Sequence, residues 1–155
     1  PQIPRNEIEK DVQMSRNIIM SPYKSAVPFE FGKTPAEIKK TEGKALREIK
    51  DNLLEKYIEE RGGLSLYFDN KKLYAIYIFK DFNVQLKDIS IFSDQALVRL
   101  SIIDKPIMGR DKAYVLFKNL GLCVGGISGK KIPEKYLAIA FSKDALPFYE
   151  SYINV

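Results

Sequence analysis

One glycine-rich stretch of the sequence could bind phosphate. Gly121–Gly129 continues into Lys130-Lys131, and a glycine-rich loop followed by lysine is typical of nucleotide-binding loops. That pattern also requires Ser or Thr directly after the first lysine, and here the next residue is a second lysine. The sequence therefore favours a flexible hairpin loop over a phosphate site.

The remaining residues that could do chemistry are a few acids and one cysteine. Glu59-Glu60, Glu9 and Asp11 are paired acids without a periodic partner, so they do not form a recognisable acid–base or metal-binding pattern. The chain has no histidine, which removes the usual general base at neutral pH and the commonest metal ligand. Cys123 lies between apolar residues and is interpreted as a small strand residue. We expect no enzymatic activity, no cofactor and no metal site.

The composition is that of one globular domain with a mildly basic surface. Of the 155 residues, 45% are hydrophobic, and the net charge of +5 comes from lysines scattered among acids. Nucleic-acid-binding proteins usually concentrate their charge on one face, so nucleic acid is not the expected partner. No apolar run reaches the roughly 20 residues of a membrane span. We expect a cytoplasmic protein, or a periplasmic or secreted one if an upstream signal has been removed.

The first clear element is a capped helix over residues 34–42. Thr34 and Glu37 have the spacing of a capping box, Pro35 suits the first helical position, and Gly43 can end the helix. Residues 1–20 are predicted to be a polar N-terminal leader, and residues 21–155 a single domain.

Further along the chain, strand signals dominate. Residues 45–60 are ambiguous, because an apolar stripe at helical spacing competes with a possible strand start at Lys56. An antiparallel hairpin is predicted over Leu64–Phe68 and Leu73–Phe79, with a polar turn between them. A second helix is predicted over residues 94–103 with Ser93 as its cap, strands over 113–118, 120–124 and 136–141, and a docking tail over 145–153.

Several features recur at an offset of about 60 residues, including a glycine followed by a strand and a later Lys-Asp pair. The recurrence predicts two copies of a helix-plus-strands unit, about 27–82 and about 88–145. The predicted fold class is α+β: one antiparallel sheet built from two repeats, with two helices packed on one face. The other face would remain open to solvent or to a partner.

Aromatic residues are more numerous than such a core requires, with nine Tyr and nine Phe. Tyrosines on an open sheet face provide large contact areas with little loss of entropy, as at interface hot spots. The candidates for partner binding on that face are Tyr57, Tyr67, Tyr77, Phe79, Tyr114 and Tyr136, together with Lys130 in the loop Gly125–Lys131. Ordinary amphipathic strands, or stacking on single-stranded nucleic acid, would explain the same residues.

The first copy also resembles a known family. Its motifs are Phe31–Ile38 with Gly43, then Gly63–Asp69 and Lys72–Ile76. They are similar to those of tandem-repeat domains related to the β-lactamase inhibitor protein and to small outer-membrane assembly lipoproteins, a pattern also used by bacterial immunity proteins that neutralise toxins. The resemblance covers about residues 27–145 and implies that the segment after Gly43 is strand.

The combined hypothesis is a non-enzymatic protein-binding inhibitor. The resemblance implies an immunity protein that neutralises a bacterial toxin by occluding its active site with the open sheet face. Two alternatives stay open: an envelope-associated or secreted structural module, and a single-stranded nucleic-acid binder.

Overall fold

The computed structural model describes residues 17–51, 53, 56–79, 81–109, 114–125 and 137–153. Within these residues the chain forms two sheets and three α-helices. The strands are β1 (Asn17–Ser21), β2 (Ser25–Val27), β3 (Phe29–Glu30), β4 (Arg47–Asp51), β5 (Lys56–Glu60), β6 (Leu64–Asp69), β7 (Lys72–Phe79), β8 (Asn83–Leu86), β9 (Ile89–Ser90), β10 (Ile107–Met108), β11 (Tyr114–Phe117), β12 (Leu122–Gly125) and β13 (Leu137–Phe141). The helices are α1 (Pro35–Glu42), α2 (Ala96–Ile103) and α3 (Leu146–Tyr152).

The large sheet contains eight strands in the order β10-β11-β12-β13-β7-β6-β5-β4, and every neighbouring pair is antiparallel. The small sheet has the order β3-β2-β1-β8-β9, in which β1 and β8 are parallel. The predicted α+β class with antiparallel strands is confirmed. The prediction of a single sheet is wrong, because β1, β2, β3, β8 and β9 form a second one.

One side of the large sheet, here called the inner face, packs against the small sheet. Leu66, Phe68 and Ile76 of the large sheet share one buried cluster with Ile18 and Val84 of the small sheet. Ile38 from α1 and Leu100 from α2 join the same cluster. Burial of these side chains is the main hydrophobic contribution to the fold.

The opposite side of the large sheet, here called the outer face, carries α3. Ala75, Cys123 and Ile139 form a second buried cluster with Leu146 and Tyr149 of that helix. The predicted docking of the tail is therefore confirmed. The prediction that this whole face stays open is wrong, since α3 covers its central strands.

Helix α1 has the local structure that its sequence predicts. The Glu37 backbone N–H donates to the Thr34 hydroxyl at 3.2 Å, and the Thr34 N–H donates to the Glu37 carboxylate at 3.2 Å. Gly43 follows the helix with φ of 79°, a backbone conformation that favours glycine. The predicted cap of α2 is wrong: the Ser93 hydroxyl donates to the Ser90 carbonyl at 2.7 Å, and the helix begins at Ala96.

The described part of residues 45–60 contains the paired strands β4 and β5 and no helix. The helical interpretation placed Leu46 and Leu53 in a core-facing stripe, but these side chains are 79% and 96% exposed. The pairing of β5 with β6 outweighs the helical spacing of the apolar residues. The structure therefore has strand in this segment, as the family resemblance implies.

Strand β1 overlaps the predicted leader at residues 17–20, and its Ile18 and Met20 are buried. The structure does not confirm the two-repeat architecture or the placement of helices on one face, since α3 occupies the outer face while α1 and α2 contribute to the inner cluster.

Candidate functional site

Two of the predicted binding residues lie side by side on the outer face. Tyr67 pairs with Ala75 on β7, and Tyr77 pairs with Ser65 on β6, so both side chains point to the same side of the sheet. Their rings are stacked with centroids 4.2 Å apart. The structure thus brings Tyr67 and Tyr77 together as an aromatic pair.

Tyr77 is part of the helix–sheet contact rather than of an open surface. Its hydroxyl lies 2.8 Å from the hydroxyl of Tyr149, which is completely buried in α3. Burial raises the pKa of both hydroxyl groups above the ordinary value for tyrosine, so both are protonated at physiological pH. Each hydroxyl can therefore be donor or acceptor for the other.

Tyr114 and Phe79 share the outer face but stand apart from the Tyr67–Tyr77 pair. The Tyr114 ring lies against Gly125, where any side chain would collide with it. Its hydroxyl lies 3.2 Å from that of Tyr152 in α3. Phe79, at the end of β7, pairs with Leu137 and is 40% exposed.

The structure places Tyr57 on the other side of the sheet from Tyr67. Tyr57 pairs with Phe68 and packs against the inner cluster, with the two ring centroids 5.3 Å apart. Its hydroxyl donates to the Glu59 carboxylate at 3.0 Å, and burial together with hydrogen bonds to acidic side chains raises its pKa. Its predicted place on the open face is wrong, because the β5–β6 register assigns it to the inner one. Tyr136 and Lys130 lie outside the described residues.

The outer face also carries aromatic residues that were not among the predicted binding residues, including Tyr74, Tyr149 and Tyr152. A bulge opposite Tyr67–Phe68 inserts Tyr74 into β7, and its ring meets that of Tyr67 edge-on at 6.4 Å. Without the bulge, strict alternation along β7 would place Tyr74 on the inner side with Ile76 and Ile78. Tyr149 and Tyr152 come from α3, where their spacing of three residues on an apolar tail was the available signal.

The part of the outer face on β4, β5 and β6 has a different character, and we call Ile49, Ile58 and Tyr67 the open sector. These residues are direct neighbours across three strands. Ile58 and Tyr67 are half-buried and Ile49 is 38% exposed. Neither isoleucine belongs to the cluster that α3 covers. The open sector ends at β4, an edge strand whose five residues are all exposed.

A basic groove of about 560 Å³ lies beside the same hairpin, where α1 begins. Among the described residues, its lining includes Lys50, Lys56 and Lys71 together with Asp51. No ion pair of these lysines is found among the described residues. Lysines are scattered along the sequence, and three of them come together in this groove.

The described residues do not have the features of a reactive thiol, a metal site or a membrane-spanning helix. Cys123 is buried, and burial raises its pKa to about 12, so the thiol is protonated at neutral pH. In the described part of the chain, no cluster of Cys, Asp or Glu side chains has an arrangement that could hold a metal ion. None of the helices described there has the length and apolar character needed to cross a bilayer.

Comparisons with known proteins do not assign a relative. No protein-family model, no curated protein and no solved structure matches the chain.

Proposed function

We propose that this protein is a non-enzymatic protein-binding inhibitor whose contact surface is the open sector of the outer face. The observation that carries the proposal is the row of Ile49, Ile58 and Tyr67, which is apolar, partly exposed and held on paired strands. Side chains fixed by a sheet lose little conformational entropy when they bind, and tyrosine adds a large contact area. This row has the features expected of the centre of a protein interface.

We further propose that the partner is a bacterial toxin and that the protein is its immunity protein, acting by occlusion. This step rests on the motif resemblance of residues 27–145. The family that the motifs resemble is built from two repeats, and the strand order is compatible with two repeats here. Strands β4–β7 form one four-stranded meander, strands β10–β13 form another, and the two meet at β7 and β13. The proposal places the protein in the bacterial cytoplasm, or in the periplasm if a signal has been removed.

The test is binding to the toxin domain encoded beside the gene in the native host. Wild-type protein should bind this domain and inhibit it. The double variant Ile58→Ala and Tyr67→Ala should weaken binding by at least about 30-fold, because loss of a hot spot costs about 2 kcal/mol or more.

Phe148→Ala and Ile102→Ala are the matched controls, since these side chains lie on α3 and α2 and are 50% and 78% exposed. They should leave the affinity unchanged. Equal binding by the double variant and wild type would refute the assignment of the open sector, and absence of binding by wild type would refute the toxin as partner.

The basic groove favours a second candidate, single-stranded nucleic acid. Lys50 and Lys71 would contact phosphates there, and the half-buried Tyr57 lines the same groove. This function requires oligonucleotide binding that falls steeply with salt and is weakened by Lys50→Ala with Lys71→Ala. Absence of such binding at low salt would eliminate it.

A further inference from the structure

Strand β4 is an exposed edge strand, and four of its five residues are charged. Among the described residues it is the last strand of the large sheet, and its pairing there is with β5. All five of its residues are exposed. The edge of a sheet presents backbone N–H and C=O groups with which another strand can pair. Its side chains therefore decide which strand can pair with it.

The β4 sequence, Arg47-Glu48-Ile49-Lys50-Asp51, is complementary to itself when it is reversed. If two copies pair antiparallel about Ile49, Arg47 of each copy lies opposite Asp51 of the other. Glu48 lies opposite Lys50 in the same way, and the two Ile49 side chains meet at the centre. Directly opposed charges of opposite sign stabilise antiparallel pairs, and like charges destabilise them.

Other registers of the same two strands are disfavoured. A slip of one residue in one direction opposes Arg47 to Lys50, and a slip in the other direction opposes Glu48 to Asp51. A parallel arrangement would place every charged residue opposite its own kind. The charge pattern thus selects the antiparallel register centred on Ile49, which is also a register compatible with twofold symmetry.

The apolar residues around β4 give a second, independent indication. Ile49 is the last member of the open sector, so pairing at this edge would continue the row from Tyr67 and Ile58 into the row of the second copy. Leu46 and Leu53, 79% and 96% exposed, flank the strand at its two ends. In the antiparallel arrangement, Leu53 of one copy comes to the strand end where Leu46 of the other lies.

We propose that two copies of this chain associate through β4, which forms a continuous sixteen-stranded sheet with a twofold axis at Ile49. A pair of five-residue strands is a small interface, so the association is a concentration-dependent equilibrium between monomer and dimer. Two open sectors become one surface across the junction.

The test is a charge exchange followed by sedimentation equilibrium over a range of concentrations. Glu48→Lys and Lys50→Glu each place like charges opposite each other twice in the symmetric dimer. Each variant alone should weaken dimerisation by about tenfold or more. The double variant restores complementarity and should dimerise like wild type. A mixture of the two single variants should form heterodimers in preference to either homodimer.

Lys39→Glu, on the exposed side of α1, is the control for net charge and should dimerise like wild type. Ile49→Lys opposes two lysines at the axis and should abolish the dimer, whereas Ile102→Lys on α2 should not. Circular dichroism verifies that each variant is folded. Formation of dimers in the mixture of Glu48→Lys and Lys50→Glu shows that each single variant has kept the β4 edge. Wild type that is monomeric up to its solubility limit, or single variants that dimerise normally, would overturn the proposal.

Discussion

The two faces of the large sheet bury apolar surface in different ways. On the inner face, Leu66, Phe68 and Ile76 are completely or almost completely buried against a second sheet. On the outer face, the covering layer is α3, a helix of seven residues, and much of the contact is made by tyrosine. The inner face is closed by aliphatic and phenylalanine packing, while the outer face is closed only over its centre.

This difference shows that abundant tyrosine on a sheet does not by itself identify a binding face. A buried tyrosine hydroxyl needs a hydrogen-bond partner, and Tyr77 and Tyr149 meet that need by pairing with each other. Tyr67 packs against the same cluster but is only half-buried, so part of its side chain is accessible to another protein. The hydroxyl pair under α3 identifies Tyr77 and Tyr149 as structural residues.

The largest effect is expected from removing a large side chain of the inner face. Phe68→Ala should lower the free energy of unfolding by about 3–5 kcal/mol, because it opens a cavity between two sheets that cannot collapse easily. Urea denaturation measures this loss. Phe148→Ala removes a half-exposed phenylalanine next to the outer face and should cost less than about 1 kcal/mol. Similar losses for both variants would contradict the contrast between the faces.

On the outer face, the hydroxyl pair can be examined separately from packing. Tyr149→Phe keeps the ring but leaves the Tyr77 hydroxyl without its partner, so we expect a loss of about 1–2 kcal/mol. The double variant with Tyr77→Phe should cost less than the sum of the two single variants, since no hydroxyl is then left unsatisfied. Strict additivity in this cycle would show that the two hydroxyl groups do not interact.

A smaller effect is expected at the cap of α1, which contributes Ile38 to the inner cluster. Thr34→Ala removes the side chain that accepts from the Glu37 N–H and should cost about 1 kcal/mol. Thr41→Ala, in the last turn of the helix, is the matched control and should be close to neutral. Hydrogen exchange should increase in α1 and not in α3, and an increase in α3 would mean that the two faces are coupled.

The sequence predicted best those elements that depend on local interactions. The capping box of α1 and the β6–β7 hairpin each lie within a short stretch of chain, so their signals are complete in that stretch. The small sheet was missed because its parallel pair joins Ile18 to Val84, which are far apart in sequence. Strands β1 and β8 have no local turn that would indicate their pairing.

The candidate site was predicted only in part for a related reason. The face to which a side chain points depends on strand register, and a single bulge moved Tyr74 to the outer face. The register of β5 assigned Tyr57 to the inner face in the same way. The docking of the aromatic tail was expected, but which tyrosines α3 would cover depends on tertiary contacts.

Alkaline pH should reduce the stability that the tyrosines of the outer face contribute, because these side chains ionise. The aliphatic packing of the inner face has no such pH dependence. Burial raises the pKa of Tyr67 and Tyr77, and it raises that of Tyr74 to about 12. In the unfolded chain these hydroxyl groups ionise near pH 10, so between pH 10 and about 12 the folded state holds protons that the unfolded state has lost. Their contribution to stability is complete below pH 10 and is lost as the pH rises through that range.

Urea denaturation at a series of pH values above 9 measures this loss. The slope of stability against pH reports the number of protons released on unfolding, so Tyr74→Phe should make the decline less steep. Leu66→Ala is the matched inner-face variant, and it should lower stability equally at every pH and keep the wild-type slope. A Tyr74→Phe curve parallel to wild type would mean that Tyr74 ionises equally well in both states, and hence that the outer face does not shield its hydroxyl from water.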